Sequence, residues 1–200
     1  MGRTTTTARS REQRRARIEH TALELFRARG FDHVTVEDVC AAAVVAPATF
    51  YRHFGTKEEV VFAYREDFAS ALVRAVDAAA EVPDEARLGV VVLGFAEFLE
   101  SQQDVLALRD QIVVGNARLL QRTLALQREL EGVLASGLAG LRGATVPSDA
   151  DLLAAGLGML VLRLAVRSWR AGGSSSLLAA TRETFARLRA LSASLEPPGR

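Results

Sequence analysis

A short predicted helix near residue 50 carries side chains that can bind DNA base edges and phosphates. The helix spans Pro47 to Phe54, and at about 100° per residue Phe50 and Phe54 lie together on its inward face. The opposite face combines small, hydroxyl-bearing, aromatic and cationic residues: Ala48, Thr49, Tyr51 and Arg52. A small residue permits close approach, threonine can contact a thymine methyl group, and arginine can bond to guanine or phosphate. This face therefore fits the major groove of DNA.

A second helix is predicted directly before it. Thr35 and Asp38 have the spacing of a capping box, so this helix begins after Thr35. Its apolar residues recur on one face, which must pack against another element: Val36, Val39, Cys40 and Ala43.

The boundaries of the recognition helix are also marked in the sequence. A turn is expected around Val44 and Val45, and Pro47 stands where a first-turn proline is favoured. Gly55 ends the helix, and Thr56 begins the next one. The order of elements is that of a helix-turn-helix.

Periodicity alone leaves open a helical hairpin whose outer face is simply solvated. The run from Thr35 to Glu59, TVEDVCAAAVVAPATFYRHFGTKEE, however, closely resembles the DNA-binding signature of TetR-family bacterial transcription regulators. In that family an Ala-rich turn, a Thr-hydrophobe-Tyr core, an aromatic residue and a Ser/Thr-Lys-Glu helix start follow in this order. The resemblance covers about Arg14 to Val60.

The resemblance implies a role for each matching residue. Thr35 would cap the second helix against a phosphate, and Lys57, the only lysine of the chain, would touch the DNA backbone from the start of the fourth helix. The residues expected to face DNA lie on the recognition helix: Pro47, Ala48, Thr49, Tyr51, Arg52 and His53. A chance match of these positions is the alternative.

Two positions depart from the family pattern. Val44 occupies a turn position where glycine is usual. The turn is therefore either rearranged at this position or strained by about 1–3 kcal/mol, the cost of a β-branched residue at positive φ. Ala46 stands where Ser or Thr usually caps the recognition helix, and its side chain offers no acceptor. These departures put the tilt of the recognition helix in doubt.

The N-terminal region is basic. Residues 1–18 contain six arginines and one glutamate, whereas the whole chain has a net charge of only +1. A polar arm, GRTTTTARS, is predicted to be too poor in apolar residues to fold alone, and a first helix is expected from Arg11 to Arg29. Arg11, Arg14 and Arg15 are therefore candidates for phosphate contacts, the alternative being a solvated tail.

The rest of the chain is predicted to be helical as well. We expect helices near 57–80, 84–100, 104–114, 116–141, 148–170 and 175–194, and we find no strand-like alternation. The predicted fold is all-α, with about nine helices. A three-helix DNA-binding domain with its arm occupies residues 1–56, and a helical ligand-binding and dimerisation domain occupies residues 57–200.

The last two helices are the expected self-association surface. Their apolar stripes are Leu153, Leu157, Leu160 and Leu164 on one helix, and Leu178, Phe185 and Leu188 on the other. A monomer core explains such stripes equally well, but the family resemblance implies a homodimer joined through a four-helix bundle. Its two-fold symmetry would match a palindromic operator.

The family resemblance also implies a pocket for a small-molecule effector in the middle of the chain. Candidate lining and anchoring residues are Phe95, Phe98, Leu99, Leu106, Arg109, Ile112, Asn116, Met159 and Arg163. Each apolar member can instead be plain core, and Arg163 can instead pair with Glu97 or Glu100.

The chain shows little sign of catalysis. It contains no HExxH, CxxC, GxSxG or phosphate-loop motif and no metal-ligand spacing, so we expect no enzyme activity, no cofactor and no metal.

The single cysteine and the absence of a bilayer-length apolar run lead us to expect a cytoplasmic protein without membrane contact. The predicted function is that of a repressor released from its operator by a small, largely apolar ligand. The alternative is a helical carrier or an unrecognised enzyme with an incidental helix-turn-helix.

Overall fold

A computed structural model of the chain describes residues 3–192, with side chains from residue 9 onward. All regular structure in this range is helical, which confirms the predicted all-α class. The elements are α1 (Arg3–Arg29), a 3₁₀ turn (Phe31–His33), α2 (Val36–Ala43), α3 (Pro47–Phe54), α4 (Lys57–Val61), α5 (Arg65–Asp77), α6 (Asp84–Ser101), α7 (Gln103–Val114), α8 (Ala117–Leu141), α9 (Asp149–Arg170) and α10 (Leu177–Ser192). The predicted last helix reached residue 194, and its final two residues lie outside the described range.

The first helix is longer than the sequence indicated. The polar stretch before Arg11 was expected to be an unfolded arm, but α1 already begins at Arg3. No glycine or proline interrupts residues 3–29, so the helix continues until Gly30, whose φ of 84° ends it. Ile18, Ala22 and Phe26 on its inward face are fully or almost fully buried.

The predicted helix 57–80 is divided into α4 and α5, and the prediction of one continuous helix was wrong. The amide of Arg65 donates to Phe62 O at 3.0 Å, one residue short of the α-helical partner. The carbonyl of Val61 is thereby released from the helix. It accepts a hydrogen bond from the Arg109 guanidinium instead.

The helices form two compact units whose limits differ from the predicted boundary at residue 56. The first unit runs to Glu66 and also includes Asp104–Leu124, and the second contains Asp67–Gln103 and the chain from Ala125 onward. The physical reason is a set of contacts that joins α7 and the first turns of α8 to the helix-turn-helix region, described below.

The core of the second unit is formed by α6, α9 and α10, which pack on one another. Ser148 caps α9 in a capping box with Asp151, and Arg142 at the end of α8 forms an ion pair with the same carboxylate. These contacts hold the pKa of Asp151 well below its usual value, first through Arg142 and then through Ser148. In the described part of the chain, none of the helices has both the length and the apolarity needed to cross a membrane.

Candidate DNA-binding surface

The recognition helix α3 divides into the two faces that its sequence predicts. Phe50 and Phe54 are buried, with exposed fractions of 0% and 6%. On the opposite side Ala48 and Arg52 are exposed, and Tyr51 exposes 51% of its surface while its ring packs edge-on against Phe50. Pro47 is exposed and Thr49 is half-buried. An arginine, an aromatic hydroxyl and a small residue therefore point away from the core on one short helix.

Local hydrogen bonds fix the two helices of the motif. Thr35 Oγ1 accepts from the Asp38 amide at 3.1 Å, and the Asp38 carboxylate accepts from the Thr35 amide at 2.9 Å. The predicted capping box is thus present, and hydrogen bonds from Thr35 lower the pKa of Asp38. Ala46, as its side chain requires, provides no cap for α3. Gly55, with a φ of 68°, ends α3 where glycine was expected.

The turn between α2 and α3 is strained at one position. Val44 adopts φ 53° and ψ 55°, which is the left-handed conformation and the strained one of the two alternatives left open by the sequence, and 84% of its surface is exposed. Its side chain therefore gains little from packing. The left-handed conformation costs a non-glycine residue about 1–2 kcal/mol.

We expect Val44→Gly to raise the free energy of unfolding by about 1 kcal/mol, since glycine removes this strain and loses almost no buried surface. Val44→Ala keeps the Cβ but not the branch, and should give a smaller gain. Denaturant unfolding of the three proteins measures the difference. A glycine variant that is less stable than wild type would show that Val44 is not strained.

The arginines of α1 differ in their surroundings. Arg11 and Arg14 are exposed and remain candidates for phosphate contact. Arg15 is half-buried: its guanidinium donates to Ala63 O at 3.2 Å and lies 5.5 Å from the centre of the Phe54 ring. Arg15 thus helps to pack α1 against the end of α3.

His53 lies closer to the core than the outward position expected for it. Its side chain is half-buried, and its buried Nε2 has no hydrogen-bond partner among the described residues. The reason is helical geometry. His53 follows Phe50 by three residues, so its side chain lies only about 60° around the helix from the buried Phe50. Burial, and then the positive charge of Arg11 and other nearby arginines, lowers the pKa of His53.

Lys57 is engaged within the protein rather than extended toward solvent. Its Nζ donates to Phe31 O at 2.9 Å and to Val34 O at 3.1 Å, and it lies 4.4 Å from the centre of the Phe31 ring. Two of the three N–H donors of Lys57 are thereby engaged within the protein, and its contact with the DNA backbone stays a prediction. Its observed role is to join the start of α4 to the connection between α1 and α2.

Of the nine predicted ligand residues, five belong to the second unit and four to the first. Phe95 and Leu99 are buried, Phe98 and Met159 are half-buried, and Arg163 is exposed, all in the second unit. Among the described residues, Arg163 forms no ion pair with Glu97 or Glu100. The other four lie in the first unit, where Leu106 is half-buried and Ile112 is buried.

The two polar members in the first unit, Arg109 and Asn116, are structural. The Arg109 guanidinium is only 2% exposed and bonds to the carbonyls of Val60 and Val61 and to the Glu19 carboxylate. Asn116 bonds to Asp32. Sequence reasoning missed these roles, and an arginine on a helix face shared with Ile112 was the one signal that could have suggested burial.

Cavities within each unit are lined by described residues. One of about 320 Å³ in the first unit is lined by Phe31, Ile112 and Asn116 among others. A groove of about 820 Å³ lies between α5 and α8, and a cavity of about 430 Å³ lies between α6 and α10. Of the predicted ligand residues, only Ile112 and Asn116 line any of these three cavities.

The predicted dimer residues are not part of the deep core. On α9, Leu153 and Leu164 are exposed by 65% and 42%, and Leu157 and Leu160 are half-buried. On α10, Leu178, Phe185 and Leu188 are half-buried. These two helices therefore carry an apolar face that the described chain covers only in part.

The chain is similar to known proteins in both sequence and structure. Residues 18–64 match the family described as bacterial regulatory proteins, TetR family. The HTH-type transcriptional regulator TcmR of Streptomyces glaucescens is 36% identical over 154 residues, which cover 70% of this chain and 66% of TcmR. The chain thus spans about two thirds of the length of that relative.

Solved structures share the fold at lower identity. A protein from Syntrophomonas wolfei assigned to the TetR family is 17% identical, with a TM-score of 0.67 over 94% of this chain and 99% of that one. FadR of Thermus thermophilus, a TetR-family transcriptional repressor solved with lauroyl-CoA, is 24% identical, with a TM-score of 0.55 over 93% of this chain and 98% of that one.

Proposed function

The chain belongs to the TetR family of bacterial transcriptional regulators, and we propose that it is a repressor that binds a palindromic operator and releases it when a small molecule binds. The observation that carries this proposal is the exposed face of α3, where Ala48, Tyr51 and Arg52 point away from a helix anchored by Phe50 and Phe54. A helix of this shape and chemistry fits the major groove.

The surroundings of α3 support a phosphate-binding role for the same side of the molecule. Arg11 and Arg14 are exposed on α1, and Arg15 lies against the Phe54 ring at the end of α3. Basic side chains beside a recognition helix position a protein on the DNA backbone, whereas contacts to base edges provide the specificity.

We expect Arg52→Ala to weaken operator binding by about tenfold, because a well-placed arginine contact to a base contributes about 1–3 kcal/mol of discrimination. Tyr51→Phe, which removes one hydroxyl, should have a smaller effect. Mobility shifts on an operator duplex and on a scrambled duplex measure affinity and specificity together. Arg128→Ala, which removes an exposed arginine from α8, is the matched control and should bind as wild type. Equal binding by the Arg52→Ala and control proteins would remove Arg52 from the interface.

We propose that the protein acts as a homodimer through α9 and α10. The support is the partly uncovered apolar face formed by Leu153, Leu164 and their neighbours on both helices. Two copies related by a two-fold axis would place two α3 helices on half-sites separated by about one turn of DNA.

We further propose that the second unit binds a largely apolar effector. The groove between α5 and α8 supports this, since its volume of about 820 Å³ lies in the range of ligand sites and its wall includes three valines and Leu141. Two FadR proteins with the same fold hold acyl-CoA molecules, lauroyl-CoA in Thermus thermophilus and stearoyl-CoA in Bacillus subtilis. Phe98, half-buried beside Phe68 and Phe95, marks an alternative position for the ligand.

Substitution of a glycine in the groove between α5 and α8 distinguishes a ligand site in this groove from one at Phe98. A Cβ at Gly132 would meet no neighbouring atom, so Gly132→Leu should fill the groove without disturbing α8, and should abolish effector-induced release of DNA. Gly89→Leu fills the cavity between α6 and α10 in the same way and is the control. The readout is operator release by a compound found in a thermal-shift screen. Normal release by Gly132→Leu together with lost release by Phe98→Ala would move the site to the aromatic cluster.

A further inference from the structure

A single side chain at the start of α8 contacts the turn that precedes α2. Asn116 is 8% exposed, and its Nδ2 lies 3.0 Å from each oxygen of the Asp32 carboxylate. Its Oδ1 accepts hydrogen bonds from the amides of Arg118 and Leu119 at 3.0 and 3.1 Å. Asn116 therefore caps α8 with one side of its amide and holds Asp32 with the other.

The position of Asp32 bears directly on the helix-turn-helix. Asp32 is the middle residue of the 3₁₀ turn, and Thr35, the cap of α2, follows three residues later. Lys57 bonds to the carbonyls of Phe31 and Val34 on either side of it. The turn is thus held from α4 by a lysine and from α8 by an asparagine, and α2 in turn packs on α3.

The same part of the first unit makes two other contacts with the helix-turn-helix region. Arg109 on α7 bonds to the last carbonyls of α4, and Arg122 on α8 forms an ion pair with Glu59. Together with Asn116, these residues lie in Asp104–Leu124, outside the residues 18–64 that match the family description. Of the three, Asn116 holds the turn that leads into α2.

We propose that Asn116 is a positioning residue for the DNA-binding surface: by holding Asp32 it fixes where α2 begins and therefore the angle at which α2 carries α3. This inference rests on the proposed function, because the angle matters only if α3 binds DNA. It places a determinant of operator affinity well beyond the helix-turn-helix in sequence.

An exchange of the two side chains tests the inference. Asn116→Asp keeps an acceptor for the α8 amides, because aspartate is as good an N-cap as asparagine, but sets two carboxylates against each other. The double variant that also carries Asp32→Asn restores the hydrogen bond in the opposite direction. The new amide at position 32 donates and the new carboxylate at position 116 accepts. Gln121→Glu adds the same negative charge at an exposed site of α8 and is the matched control.

Affinity is measured by mobility shift on a duplex that the wild-type protein selects from a random-sequence pool. Asn116→Asp should raise the Kd about tenfold, as expected for loss of a charge-assisted hydrogen bond. The exchanged pair and Gln121→Glu should stay within about twofold of wild type. Circular dichroism at the assay temperature shows whether all four proteins are folded. A loss of affinity in a folded protein is then not caused by unfolding.

Rescue by the exchange, together with wild-type affinity for Gln121→Glu, supports the inference. The exchange restores the hydrogen bond between residues 116 and 32 at the wild-type net charge, and the control shows that an added negative charge on α8 does not by itself weaken binding. Wild-type affinity for Asn116→Asp, or a loss that the exchange fails to restore, overturns it while leaving the proposed function intact. If the wild-type protein selects no duplex, both the proposed function and this inference fail.

Discussion

Arg109→Leu is expected to lower the free energy of unfolding by about 3–5 kcal/mol, the usual cost of removing one partner from a buried ion pair. The Arg109 side chain is 3% exposed, and its loss would leave the Glu19 carboxylate and the Val61 carbonyl without this donor, whereas Val60 O would keep its hydrogen bond from the Ala63 amide. Leucine fills much of the same space, so the loss reflects polar groups left unpaired rather than a cavity alone.

Denaturant unfolding measures this effect, and Arg118→Leu is the matched control because Arg118 is exposed on the neighbouring helix. The control should change stability by less than about 0.5 kcal/mol. An Arg109→Leu protein as stable as the control would show that Arg109 does not hold α4 in place. The division of residues 57–80 into two helices would then need another cause.

Leu160→Glu is expected to convert the proposed homodimer into a monomer. Leu160 lies within the apolar stripe of α9, and a charge buried in an interface between two copies would lose its hydration without gaining a partner. Since a two-fold operator is bound by two recognition helices at once, the monomer should also bind DNA weakly.

Sedimentation velocity gives the oligomeric state, and operator binding is measured on the same samples. Leu124→Glu introduces the same charge at an exposed leucine of α8 and should leave a dimer. A Leu160→Glu protein that sediments as the wild-type dimer would place the interface on another surface.

The sequence predicted those features that depend on neighbouring residues. The limits of α3 and the capping box at Thr35 follow from residues within one or two helical turns, whereas the same residues left the conformation of Val44 open. The burial of Phe50 and Phe54 follows from helical periodicity in the same way.

The features that the sequence did not predict depend on partners far along the chain. Lys57 bonds to a carbonyl 26 residues away, Asn116 to a carboxylate 84 residues away and Arg109 to one 90 residues away. No periodic pattern identifies such partners, so these hydrogen bonds could not be predicted from the sequence. The same contacts explain why the first unit includes α7, whereas the sequence suggested a boundary at residue 56.

Selection of duplex DNA from a random-sequence pool at about 0.15 M salt, with unlabelled nonspecific competitor, tests the central claim most directly. The protein should enrich one sequence with two-fold symmetry, whose half-sites lie on the same side of the duplex, and Arg52→Ala should bind that sequence more weakly. If no sequence is enriched, and the amount of DNA bound depends only on the salt concentration and not on the base sequence, the claim that α3 recognises an operator is contradicted.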